Sequence, residues 1–418
     1  MNDSSVSRRR LLSGVAISGA VAVAGCLGGN GDDDDENGED GPDHLGEDLP
    51  AFPEVEDPPA AVYRPTHREE MVMGEVVTAG EYAFAPMYTY PHPFWRVDGT
   101  LVERHDPTAE EDIHLMVSIW DEETGTVVPV DAVDFDIYKD GDRIDSVNPW
   151  TMISQEMGFH VGDNVSLDGD GTYRVQGTVP PITLERTGEF EGRFDDRVEF
   201  EFDVEFSLEK LGDLLDEIEY FPEEEWGERG ALEPMDHGHH DDGHHDDGHH
   251  HDHEDNDDHD DGHHHGDDDG HHDDHVPYSS LPSAEDLPGT LQGIDADGNL
   301  PESGDADFVI SLLESDSRFV EEGAYLLVSP RTPYNHCVLP QANLEVTLER
   351  DGETVLENEP LQETIDPDVG HHYGLTLEDV EDGDEVTLEV TAPPQVDRHQ
   401  GYETAFLEME PISLEISL

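Results

Sequence analysis

Apolar and polar residues alternate along two long stretches of this 418-residue chain. In the first, from about Tyr63 to Phe206, Ile113-His114-Leu115-Met116-Val117-Ser118-Ile119-Trp120 precedes a polar turn with Gly125 and then Val127-Val128-Pro129-Val130. Phe135-Asp136-Ile137-Tyr138 runs into Lys139-Asp140-Gly141-Asp142, a hairpin signal. Thr172 to Gln176 and Val198 to Val204 alternate strictly, as half-buried antiparallel strands do. The second stretch, about Ala306 to Leu418, carries Leu344-Glu345-Val346-Thr347-Leu348, the turn Arg350-Asp351-Gly352-Glu353, and Glu385-Val386-Thr387-Leu388-Glu389-Val390. Short strands with turns at this spacing predict a β-sandwich in each stretch, and hence an all-β fold. Ser207 to Phe221 changes period. Leu208, Leu211, Leu214, Leu215 and Ile218 form one stripe behind the N-cap candidate Ser207, which predicts a short amphipathic helix that braces the sandwich or meets a partner.

Residues 236–275 follow no pattern of either kind. They hold 16 His, 17 Asp or Glu, 6 Gly and one Asn, with no apolar residue, so no core can form and disorder is expected. The organisation predicted is a leader over 1–25, an acidic tether over 26–60 and a first sandwich over 61–206. The helix and a linker follow over 207–235, then the tract over 236–275, a linker over 276–305 and a second sandwich over 306–418. The two sandwiches carry related text. Phe159-His160-Val161-Gly162 corresponds to His371-His372-Tyr373-Gly374, and each is followed at similar spacing by Pro180-Pro181 or Pro393-Pro394 and then by Arg186 or Arg398. That is the signature of a degenerate duplication.

Charge narrows the reading. Lys+Arg 19 against Asp+Glu 105 leaves a formal net charge of −86, which excludes a nucleic-acid binder that works through phosphate contacts. Only Lys139 and Lys210 are lysines. Intensely acidic, nearly lysine-free domains resemble those of salt-loving archaea, where a Debye length of ~3 Å in molar salt makes such self-repulsion tolerable. At the N-terminus, Arg8 and Arg9 stand before a short apolar run rich in Gly, Ala and Ser, as in a twin-arginine export signal. The run ends in Val23-Ala24-Gly25-Cys26, a lipoprotein box that makes Cys26 the lipidation site; an uncleaved anchor is the alternative. Either way the bulk of the protein is expected outside the cell membrane, anchored to it. With Cys337 as the second of two cysteines, no disulfide is expected within a domain.

Asp112-Ile113-His114-Leu115, the stretch from Met152 to His160-Val161-Gly162-Asp163-Asn164-Val165, then Gly171-Thr172-Tyr173-Arg174-Val175 and Pro180-Pro181, in that order, resemble the bacterial periplasmic Fe²⁺-transport protein family. The resemblance covers roughly residues 70–206, with a weaker echo in 306–418. It implies two immunoglobulin-like sandwiches, joined here by the short helix and the His/Asp-rich linker, in a haloarchaeal lipoprotein form. It also implies copper or zinc binding at a His/Met site that serves iron uptake, a membrane iron permease as partner, and pairing of subunits. His114, Met152 and His160 occupy the family's first three ligand places, with Met157 a rival for the methionine. Two departures stand out. Met116 replaces an acidic residue, and Glu185-Arg186-Thr187-Gly188 stands where the third histidine should be. The second half has the converse pattern, because Asp397-Arg398-His399 matches the missing segment and His372 matches His160. A homodimer, or an internal pseudo-dimer of the two sandwiches around one ion, is the expectation that follows.

The residues support metal chemistry independently. His114 and Met116, two apart on a strand, leave the same face. Imidazole with thioether suits copper or zinc rather than Mg²⁺ or Ca²⁺. Tyr88 to Trp95 reads as a packed, Pro-stiffened segment, with His92 and Met87 as outlying ligand candidates. In the tract, His239, His240, His244, His245, His249, His250, His251, His263, His264 and His265 offer interchangeable pairs for several Zn²⁺, Ni²⁺ or Cu²⁺ ions. No nucleophile motif, phosphate loop or dinucleotide fingerprint is found, so no enzyme is expected. The predicted function is a cell-surface lipoprotein that binds copper, zinc or iron and assists Fe²⁺ uptake. Copper or zinc capture without an iron role, and a non-metal adhesion or scaffold module, are the alternatives.

Overall fold

The alternating stretches form strands, and their register explains where the histidines lie. The computed structural model describes residues 52–235, 276–315 and 317–418. Arg8, Arg9, Cys26 and the tract histidines from His239 to His265 lie outside these residues. Among the described residues the structure is all-β apart from one α-helix and short 3-10 turns, and no helix is long and apolar enough to cross a membrane.

Each half pairs a large sheet with a four-stranded one. In the first half, Tyr82–Thr89, Ile113–Asp121, Gly158–Val165 and Trp150–Ser154 are consecutive neighbours in the large sheet, and Val198–Phe206, Gly171–Val179, Asp134–Lys139 and Asp142–Val147 form the small one. Odd-numbered residues of the central strand, Ile113, Leu115, Val117 and Ile119, pack on Phe135, Ile137, Val175 and Phe202 of the small sheet. Even-numbered residues point the other way, and they too are buried. Met87, Met116 and Trp120 join a continuous apolar cluster that runs through Val276, Leu281 and Cys337 into the interior of the second sandwich, at Phe308, Leu326 and Leu388. Because both of its faces are covered, the strand can hold His114 and Ser118 out of water.

The second half repeats the plan. Gln362–Asp366, Gly370–Leu377, Ala324–Arg331 and Ala306–Glu314 are neighbours in its large sheet; Glu353–Pro360, Asn343–Arg350, Glu385–Ala392 and Ile412–Glu415 form its small one. The registers coincide. Met152 lies opposite His160 as Thr364 lies opposite His372, and Met116 lies opposite Gly162 as Leu327 lies opposite Gly374.

Two short strands cross between the halves. Asp397–Arg398, from the second half, pairs in parallel with Met152 and Ile153 of the first half's large sheet. Reciprocally, Glu185–Arg186 pairs in parallel with Thr364 and Ile365 of the second. Arg398 is fully buried and donates to the carbonyls of Pro394, Tyr402 and Ala405, which fixes the lent strand.

Segments expected as linkers are packed. Within 276–305, Val276 and Leu281 are buried, Ser279 Oγ accepts from Phe159 N at 2.8 Å, and Thr290–Leu291 pairs with Ala306–Glu314. Single anchor residues and side-chain hydrogen bonds hold this segment, so it shows no strand periodicity. Phe52, at the end of the expected tether, stacks on Tyr90 and His67. The helix Leu208–Glu217 is capped by Ser207, whose hydroxyl accepts from Lys210 N, and it buries Leu211 and Leu214 against the first sandwich as a brace.

Exchanged strands and a shared apolar cluster leave neither half with a complete sheet of its own. Calorimetry of the apo protein in molar salt should therefore show one cooperative unfolding transition. Two separable transitions would contradict this packing.

Candidate metal centre

The strand register sets His114, Met152 and His160 on one face of the first large sheet, and the lent strand delivers His399 to the same place. His114 lies opposite Asn164 on the neighbouring strand, and His160 opposite Met152 on the other side. His399 follows Asp397–Arg398 directly. All three histidines are buried, and one ring nitrogen from each lies within 4.8 Å of the other two.

Neighbouring acceptors settle which nitrogens carry protons. His114 Nδ1–H donates to Asn164 Oδ1 at 3.0 Å, and Asn164 in turn donates to the His92 carbonyl at 3.1 Å. His160 Nδ1–H donates to the Gly158 carbonyl at 3.1 Å. Each contact leaves Nε2 as a lone pair, the arrangement by which outer groups orient metal-binding imidazoles. His114 Nε2 is buried without a hydrogen-bond partner. His160 Nε2 lies 3.2 Å from His399 Nε2. Two nitrogens that share a tetrahedral ion at ~2.0–2.1 Å each stand about 3.3 Å apart, so this spacing suits a common ion.

Burial keeps the rings neutral. Desolvation pushes the His160 imidazole down to about 4, and holds His114 and His399 well below the usual histidine range, with nearby imidazoles adding to the effect. Protons therefore compete poorly for these lone pairs near neutral pH. Gly162 keeps the space open: a Cβ there would stand 3.1 Å from His114 Nε2 and 3.2 Å from Met116 Cγ.

The methionines separate. Met87, Met116 and Met157 pack in the shared apolar cluster, and Met116 and Met157 also line a cavity of about 40 Å³ beside His399. Met152 is fully buried but belongs to none of the apolar clusters of the described residues, and it sits in register with His160. Met152 is thus a donor candidate by its register with His160, and Met116, whose Cγ flanks the same Gly162 position as His114 Nε2, remains its rival.

His372 is placed elsewhere. Its Nε2 meets the Tyr325 hydroxyl at 3.0 Å and its Nδ1–H donates to the Gly370 carbonyl at 3.1 Å. By register Tyr325 stands where the first half has His114, and Thr364 where it has Met152. Thr187, in the place of His399, donates instead to Asp366 at 2.7 Å. A Cβ on Gly374 would overlap the Tyr325 hydroxyl, so the phenol fills the space that Gly162 leaves open in the first half. The second half thus holds a closed polar cluster in place of three imidazoles.

Two further side chains lie near the three imidazoles. His92 reaches the centre, its ring 4.2 Å from that of His114 and 5.0 Å from that of His399. Glu69, which the sequence did not single out, lies beside it. The Pro91-His92-Pro93 stiffening was the available signal for His92; nothing local marked Glu69.

Comparison with known proteins adds the following. Residues 285–415 match a family described as a domain of unknown function (DUF7350). No curated protein matches the chain. Among solved structures, FetP of uropathogenic Escherichia coli strain F11 is similar at 21% identity, covering 33% of this chain and 97% of FetP, with a TM-score of 0.26. A copper-bound variant of Campylobacter jejuni P19 is similar at 16% identity, covering 33% of this chain and 98% of P19, with a TM-score of 0.27. The copper-reconstituted P19 protein at pH 10.0 is similar at 16% identity, covering 33% of this chain and 96% of that one, with a TM-score of 0.27.

The two clusters make opposite predictions on substitution. His372→Ala should leave the tightest copper affinity of the full chain unchanged in a chelator competition, whereas His160→Ala should weaken it at least tenfold, about 1.4 kcal/mol. Equal losses in the two variants would mean that the clusters are not distinguished in this way.

Proposed function

We propose that this protein binds a transition-metal ion at one buried centre formed by His114, His160 and His399, with the Met152 thioether as the fourth donor candidate. The supporting observation is the convergence of three neutral, buried imidazoles from two halves of the chain, two of them 3.2 Å apart through Nε2. Such a donor set fits the borderline ions Cu²⁺ and Zn²⁺, and a thioether shifts preference toward copper. The reading is of metal binding and transfer.

The wider role follows from the sequence. Export by the twin-arginine signal and lipidation at Cys26 would hold the protein on the outer face of the cell membrane. The tract of sixteen histidines would collect ions there at modest affinity. The family resemblance favours service to Fe²⁺ uptake beside a membrane permease. The donor set also favours a second reading, in which copper or zinc capture is itself the function.

Acid separates the tract from the centre. An unperturbed imidazole, with a pKa near 6.5, becomes protonated and releases metal as pH falls from 7.5 to 5, and the same is expected of the tract. The buried imidazoles, with His160 pushed down to about 4, remain neutral over that range. Equilibrium dialysis of the full chain should find several copper ions bound at pH 7.5 and about one at pH 5. That remaining ion should be absent from His160→Ala. Complete release by pH 5.5 would contradict the proposal.

A further inference from the structure

A second group of potential ligands shares one residue with the buried centre. Glu69, His92 and His399 bring a carboxylate oxygen and two ring nitrogens within 4.8 Å of one another. His92 is 3% exposed. Its Nδ1–H donates to the Pro93 carbonyl at 3.1 Å, which leaves Nε2 as a lone pair on the neutral ring. That Nε2 has no hydrogen-bond partner and faces Glu69 Oε2 at 3.4 Å. A ring nitrogen and a carboxylate oxygen at this distance are bridged either by a proton or by a cation.

The surroundings give a cation access. A cavity of about 280 Å³ opens onto this group, with Phe52, Glu69, His92, Trp95, Asp106 and Gln400 on its walls. Arg104, also on the wall, is held by Glu54 at 2.6 Å and Asp106 at 2.7 Å, so it does not neutralise Glu69. Of the group, Glu69 and His92 line this cavity, with Gln400 beside them; His399, like His114 and His160, lies behind the wall.

We propose that Glu69, His92 and His399 form an outer cation position that takes a divalent ion such as Zn²⁺ or Fe²⁺ from this cavity. The inference rests on the metal-binding reading above and adds a second position with a different preference. One carboxylate with two imidazoles is a harder donor set than three imidazoles with a thioether, and it is well suited to Zn²⁺ and Fe²⁺. A neutral imidazole offers one lone pair, so His399 serves one ion at a time and the two positions compete for it.

Zinc-edge anomalous diffraction from crystals of the full chain equilibrated with Zn²⁺ tests this by location, whatever the tract binds. In His160→Ala, which frees His399 from the buried centre, a zinc peak should stand about 2.0–2.2 Å from Glu69 and His92 Nε2. In the double variant His160→Ala with Glu69→Gln that peak should vanish, while Glu69→Gln alone keeps zinc at His114 and His160. A His160→Ala crystal with no zinc beside Glu69 overturns the outer position, and Glu69 and His92 are then a plain ion pair. An outer peak that persists in the double variant overturns it equally. Zinc at neither place would remove the metal-binding reading as well, whereas zinc at His114 and His160 of the wild type alongside a failed outer site removes this inference alone.

Discussion

Three buried imidazoles meet because each sandwich borrows a two-residue strand from the other. Asp397–Arg398 adds to the first large sheet beside Met152–Ile153, and the next residue is His399. Without that pairing, His114 and His160 would share a sheet face but lack the ring whose Nε2 stands 3.2 Å from His160 Nε2. The buried Arg398 guanidinium, bound to three carbonyls, holds the lent strand and so positions the histidine beside it. Desolvation then does the chemical work of keeping the rings neutral and their lone pairs free of protons. Fold and site are therefore one problem: the contact that joins the halves also assembles the donors.

The duplicated architecture makes the loss of a second centre intelligible. The equivalent lent strand, Glu185–Arg186, lies in the same register on the second sheet, but it is followed by Thr187. Tyr325 and Thr364 replace the counterparts of His114 and Met152, while His372 remains. Once Tyr325 and His372 bond to each other and Thr187 to Asp366, the cluster satisfies itself. A buried polar group with a partner is stable without an ion, whereas a buried imidazole lone pair without one favours a ligand. The histidine absent after Arg186 stands after Arg398, in the second half of the same chain.

Much of the fold could be read from period-two alternation, because the strands of the small sheets are half-buried and show it clearly. The central strand of the large sheet could be read as a strand, but its polar positions could not be placed. His114 and Ser118 occupy what alternation treats as a solvent face, and only the second sandwich, which covers that face, makes it an interior one. Packing of 276–305 was illegible for a related reason: isolated anchors such as Val276 and Leu281 leave no periodic trace. His114, Met152, His160 and His399 could be named from motif order. Their convergence could not, since it depends on a parallel pairing between residues far apart in sequence. Glu69 was hidden, and His92 stood only as an outlying candidate, because what places them is a loop, and loops carry no periodicity.

The claim that one ion is held jointly by the two halves is tested most directly through His399. Copper(I) competition with a chromophoric chelator, run on the full chain in molar salt, reads the tightest site against a background of weaker tract sites. His399→Ala should weaken that site at least tenfold, about 1.4 kcal/mol, with the apo protein still unfolding in a single transition. An unchanged tightest affinity in His399→Ala would show that the second half contributes nothing to the ion, and the account of a shared centre would fail.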